Sequence, residues 1–163
     1  LSANNDYDVI ILQEQSTRPI SSYDLFLQGA SDLNDKIQET QKDCDVYLYA
    51  TWGYPKGLDN NYKTVPDMEA ALRQAYKNVA KAIGADICSV GEAFTYVYNN
   101  YKDINLYHTD DQHPSYAGSY LSACVHAATI TGCDPRETTF TGSLDAATAE
   151  ILQNVAYDMV FGN

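Results

Sequence analysis

The sequence predicts an α/β domain in which helices lie on both faces of a parallel sheet. Three observations lead there. Short apolar runs rich in β-branched residues alternate with longer stretches whose apolar residues recur every three or four positions. The short runs end in polar loops, as strands in such sheets do. The longer stretches carry helix start and stop residues at their ends.

Taken in order, Asp8-Val9-Ile10-Ile11-Leu12 is the first strand, and its unbroken apolar run places it near the middle of the sheet, covered on both faces. Gln13 to Pro19 is the polar loop at its carboxyl end. Ser21 or Ser22 caps a helix whose stripe is Phe26, Ala30, Leu33 and Ile37. Val46 to Thr51 is the second strand, ending in Trp52-Gly53-Tyr54-Pro55 and a loop rich in Asn and Gly. Thr64, Pro66 and Asp67 mark the next helix start, and Met68, Leu72, Ala75, Val79 and Ile83 form its stripe before Gly84 stops it. Asp86 to Val90 is the third strand, and Gly91 turns the chain into a helix through Phe94, Val97 and Tyr98. Ala117, Tyr120, Leu121, Cys124 and Ala128 mark a helix ending at Gly132. Ser143 caps a last helix carrying Leu144, Ile151, Leu152, Val155, Met159 and Val160. Three strands make a thin doubly wound sheet, and a first strand this apolar wants neighbours on both sides. The expectation is that strand and helix material upstream of Leu1 completes the domain, residues 1–163 being its carboxyl-terminal portion.

Composition narrows the function. The 163 residues fit one domain with a real core, and 45% hydrophobic with 20% charged residues is the make-up of a globular protein. A net charge of -12 with no basic cluster argues against nucleic acid and against an anionic membrane as partners. A neutral or cationic small molecule fits better. Fourteen tyrosines suit polar ligands such as sugars, and a tyrosine-rich surface explains them equally well. No run is long enough to cross a bilayer. Cys44, Cys88, Cys124 and Cys133 follow no C-x-x-C metal spacing. Cys88 and Cys124 sit in apolar patterns as core thiols; Cys44 and Cys133 pair only if the protein is exported, which the sequence leaves undecided.

The chemistry concentrates in Tyr107-His108-Thr109-Asp110-Asp111-Gln112-His113-Pro114-Ser115, directly ahead of a helix. Pro114 fixes its own backbone and Ser115 can cap the helix. An acid three residues ahead of the histidine lets the Asp110 carboxylate accept a hydrogen bond from the Nδ1–H of His113, leaving Nε2 as a general base. Asp111 is the rival partner, and a capping histidine is the plainer account of His113. Trp52, at a strand's carboxyl end, either stacks on a sugar or acyl group or covers the core. His126 lies inside a helix and reads as structural, Glu14 as a hydrogen-bond acceptor; His108 goes either way. A separate reading takes His108, Asp110, Asp111 and His113 as a divalent-metal site. Ser16 and Ser89 belong to no Gly-x-Ser-x-Gly elbow.

Asp110-x-x-His113-Pro114-Ser115, with a helix behind it near the chain end, resembles the last conserved block of the SGNH (GDSL-type) esterase superfamily. That family carries Gly-x-Asn-Asp after the strand corresponding to residues 9–12, where this chain has Gln13-Glu14-Gln15-Ser16, as in a divergent bacterial branch. The resemblance implies a three-layer α/β/α sandwich of the flavodoxin-like SGNH type. It implies a catalytic pair of His113 and Asp110, with Gln15 in place of the asparagine that donates to the oxyanion. A glutamine amide offers the same donor on a longer arm. Gln13 is its rival and otherwise a substrate-binding residue, and Gln15 has the alternative of a loop-stabilising amide. The family's serine nucleophile and glycine donor have no counterpart in this chain and are expected upstream of Leu1, so that the fragment alone is inactive. The implied substrate is an acylated carbohydrate or other small ester, and no cofactor is called for. The alternative is a non-catalytic sugar-binding relative.

Overall fold

The computed structural model of the chain describes residues 6–41, 43–55 and 62–162. The Asn- and Gly-rich loop expected after Pro55 lies outside the described residues. The elements run β1 (Val9–Leu12), α1 (Arg18–Ser21), α2 (Tyr23–Thr40), β2 (Asp45–Tyr49), α3 (Val65–Ile83), β3 (Asp86–Cys88), α4 (Val90–Asn100), α5 (Tyr116–Thr131) and α6 (Ala146–Phe161), with a single 3-10 turn at Pro135–Glu137. The three strands form one parallel sheet in the order β1-β2-β3. Among the described residues no helix is long and apolar enough to cross a membrane.

Successive side chains of β2 feed two different layers, the period-two geometry of a strand. Leu48 joins Phe26 and Ala30 of α2 and Tyr76, Val79 and Ala80 of α3. Tyr47 joins the larger core, in which Phe94 and Val97 of α4, Leu121 and Val125 of α5, and Leu152 and Val155 of α6 meet. Helices therefore cover both faces, as the alternation of strands and helices predicts.

Helix ends follow their local signals. Thr64 Oγ1 accepts from the Asp67 N–H at 3.2 Å, and Gly84 and Gly132 close α3 and α5 in left-handed conformations with φ of 72° and 69°. Four expectations need correction. β1 lies at an edge of the sheet among the described residues and β2 takes the central place, and Ile11 is 42% exposed. Leu33, on the α2 stripe, is 50% exposed although Ala30 and Ile37 to either side of it are buried, so it stands at the stripe's flank. Asp145 rather than Ser143 caps α6, because its carboxylate takes both the N–H (2.9 Å) and the hydroxyl (2.7 Å) of Thr148. Leu144 accordingly precedes that helix. The stretch Gln13 to Pro19 is not wholly loop, since Pro19 stands in the first turn of α1.

Candidate active site

The stretch that ends in His113 folds back on itself. Tyr107 and Pro114 form an antiparallel bridge, and the His108 N–H donates to the His113 carbonyl at 2.8 Å. The reversal needs one left-handed residue, Asp111 at φ 58°, a conformation that aspartate tolerates better than most side chains. Ser115 then starts α5, its Oγ accepting from the Gly118 N–H at 3.1 Å while donating to the Asn105 carbonyl at 2.7 Å.

Within this turn Asp110 is the organising side chain. Its Oδ1 accepts from the backbone N–H groups of Gln112 and His113, both at 2.9 Å, and its Oδ2 lies 2.6 Å from His113 Nδ1. At that separation from a carboxylate the Nδ1 nitrogen is the donor, so that in the neutral ring Nε2 is the acceptor. The hydrogen bond from His113, reinforced by the two backbone donors, holds the Asp110 carboxyl well below the usual carboxylate range. The His113 side chain is 79% exposed.

Behind the turn, the end of β2 supplies a rigid mount. The Gly91 N–H donates to the Ala50 carbonyl at 3.0 Å, and a Cβ on Gly91 would stand 2.2 Å from the Thr51 carbonyl oxygen. A Cβ on Gly53 would stand 2.5 Å from the Val65 carbonyl oxygen. Glycine is required at both places for the segment to pass between the starts of α3 and α4. Gly118 plays the same part in α5, where a Cβ would lie 2.3 Å from the Leu106 carbonyl oxygen.

A cleft of about 310 Å³ opens where these pieces meet, lined by Gln13, Ser16, Tyr49, Thr51, Trp52, Tyr54, Gln112, His113 and Pro114. It lies at the carboxyl ends of β1 and β2, the edge at which α/β sheets take their ligands. Of the residues singled out in the sequence, Gln13, Trp52 and His113 line it together, and Asp110 reaches it through the His113 ring. Gln15 is not among the lining residues; its Oε1 accepts from the Thr17 N–H at 3.1 Å, the Thr17 hydroxyl at 3.2 Å and the Arg18 N–H at 3.3 Å, at the start of α1. Glu14 accepts from the Gln15 N–H at 2.6 Å and meets Arg18 at 3.5 Å. Trp52 is 7% exposed and stacks on Phe94 with ring centroids 4.2 Å apart. From the sequence alone Tyr49 and Thr51 read as strand residues, Tyr54 as part of the segment that ends the second strand and Gln112 as part of the stretch around His113, with no site role attached to any of them.

The metal reading finds no donor set. Among the described residues no three His, Cys, Asp or Glu side chains are arranged so that they could hold a metal ion, His113 Nδ1 is taken by Asp110, and His108 Nδ1 shares a hydrogen bond with Thr109 at 3.1 Å. The cysteines are free thiols, with Cys44 buried and Cys133 exposed.

The arrangement defines an α/β/α domain bearing an aspartate-histidine pair beside a cleft at the sheet's carboxyl edge. No family model matches the sequence, and no curated protein does. Solved structures do share its fold. A DUF4886 family protein from Bacteroides uniformis superposes with a TM-score of 0.85 at 20% identity, covering 98% of this chain and 64% of that one. A protein from Slackia heliotrinireducens, provisionally named an SGNH hydrolase, superposes with a TM-score of 0.66 at 28% identity, covering 78% of this chain and 68% of that one. The fold is thus SGNH-like, and the chain spans less than two thirds of the length of the Bacteroides protein.

Proposed function

We propose that this domain hydrolyses carboxylic esters through a serine. His113 takes the serine proton on Nε2 and returns it to the leaving alcohol; Asp110 keeps the imidazole oriented and stabilises its cationic form. The observation that carries the reading is the 2.6 Å contact between Asp110 and His113 on the rim of the cleft. The name given to the Slackia protein agrees with it.

The serine is assigned to chain preceding Leu1. The free side of β1 favours this, since among the described residues it pairs only with β2, with Ile11 half exposed beside it. On α2, Leu25 and Leu33 leave apolar surface of the kind that a further strand and helix would cover. For the oxyanion, Gln13 is the stronger candidate of the two amides, because it faces the cleft while the oxygen of Gln15 holds the start of α1. Among the described residues the lining offers amides and hydroxyls and no lysine or arginine, which suits an uncharged acyl group on a polyhydroxylated alcohol.

The test is hydrolysis of an aryl acetate by the complete protein. His113→Ala should abolish turnover with the far-ultraviolet circular dichroism unchanged, and Ser16→Ala should leave it intact. Near wild-type turnover in His113→Ala overturns the proposal, and loss of turnover in Ser16→Ala moves the nucleophile into this chain.

A further inference from the structure

The peptide unit joining Gln112 to His113 is held at both of its polar ends. Its N–H, which belongs to His113, donates to Asp110 Oδ1 at 2.9 Å, and its carbonyl, which belongs to Gln112, accepts from the Trp52 indole N–H at 3.0 Å. A peptide plane fixed at both ends fixes the N–Cα bond of His113, and the His113 carbonyl, which accepts from the His108 N–H at 2.8 Å, holds the following plane; together they set the direction in which the Cα–Cβ bond leaves the backbone. Of the two hydrogen bonds to the Gln112–His113 peptide, the first is made inside the turn. The second comes from 60 residues away in the chain and ties the turn to the end of β2.

Trp52 is well placed to act as an anchor. Its ring lies parallel to the Phe94 ring, within 8°, and Phe94 is fully buried. A second tie runs alongside, from the Tyr107 hydroxyl to the Gly53 carbonyl at 2.9 Å. Between them, Trp52 and Gly53 meet both arms of the turn, at Gln112 and at Tyr107. Burial pushes the Tyr107 phenol up, which favours its protonated, donating form.

We infer that Trp52 is a positioning residue: its indole N–H, acting through the Gln112 carbonyl, sets the angle at which His113 faces the cleft. The geometric part stands on these bonds alone, whereas its consequence for turnover rests on the esterase reading above. In well-oriented sites a displacement of about 1 Å at the reacting group reduces rates by up to about a hundredfold. The loss of one of two anchors should therefore cost less, about tenfold.

Trp52→Phe keeps an aromatic ring to stack on Phe94 and removes the donor. Two readouts are taken on the complete protein. The first is water exchange of the His113 Nδ1 proton, followed by proton NMR with Asp110→Asn identifying the signal; exchange should quicken about tenfold in Trp52→Phe. The second is kcat for an aryl acetate, which should fall about tenfold with KM changed less than about twofold. Tyr107→Phe, which keeps the ring and drops the second tie, should move both in the same direction. Unchanged far-ultraviolet circular dichroism in both variants reports that the fold is kept. Faster exchange in a protein that hydrolyses no ester supports the positioning role and removes the esterase reading. Unchanged exchange in Trp52→Phe overturns the positioning role whatever the activity.

Discussion

Replacing Gly118 by alanine tests how tightly the site is built. The added methyl would stand 2.3 Å from the Leu106 carbonyl oxygen, 3.0 Å from Phe94 Cζ and 3.1 Å from Pro114 Cβ. The first of these is roughly 1 Å inside ordinary contact, and it is made with backbone that cannot rotate away. The same carbonyl accepts from the Ser115 N–H at 2.8 Å, so a shift there disturbs both the helix start and the chain entering the turn. Overpacking of this kind costs about 3 kcal/mol, and the helix preference of alanine over glycine returns about 1 kcal/mol, leaving a loss of about 2 kcal/mol. In thermal unfolding Gly118→Ala should melt about 4–8 °C below the wild type. A Gly118→Ala protein as stable as the wild type would refute the close approach of α5 to the turn, and the mounting of His113 derived from it.

Two further outcomes follow from the ionisable groups. Asp110 has a lowered pKa in the fold, through its bond to His113 and then the two backbone donors, and returns to about 3.9 when unfolded. Its contribution is complete above the unfolded value and is lost as pH falls through the folded one. The difference in urea midpoint between wild type and Asp110→Asn should accordingly shrink as pH drops from about 5 toward 2, and a constant difference rejects the pairing. Among the thiols, burial pushes Cys88 and Cys124 up to about 11, Cys44 is also buried, and Cys133 is exposed. One thiol should react with an aromatic disulfide reagent in the native protein and the other three only after denaturation; fast reaction of a second places a buried cysteine at the surface.

What could be read from the sequence is what is local. The spacing of three between Asp110 and His113 is enough for a side chain to reach both the backbone and the ring of the same turn, so the pair was visible before any fold was known. Caps at Thr64 and Ser115 and stops at Gly84 and Gly132 are local in the same sense. The misplaced α6 cap was a choice between neighbours, decided by whether a hydroxyl lies three residues on, and Thr148 supplies it for Asp145. The frame around the pair was not legible. Nothing near Trp52 announces that it will meet Gln112, and nothing near Gly53, Gly91 or Gly118 tells which backbone will cross it. Gln15 shows the middle case. Its neighbours Thr17 and Arg18 were in plain view, yet whether its oxygen would turn toward them or its amide toward a substrate depends on the path of α1.

The exposure of His113 makes that frame the decisive part of the site. A ring 79% open to solvent gains little orientation from packing, and ordering a free side chain works against rotamer entropy. The turn answers this by fixing the backbone first, with Asp110 binding two N–H groups and Trp52 the intervening carbonyl, so that only the ring torsions remain to be set. The contact with Asp110 Oδ2 then sets them. Orientation is thus built up stepwise from backbone bonds, and the acid that polarises the imidazole is also the one that shapes the turn. Asp110→Ala should therefore disturb the backbone of the turn as well as the ring. Asp110→Asn, which keeps an acceptor for the two N–H groups, separates the two roles.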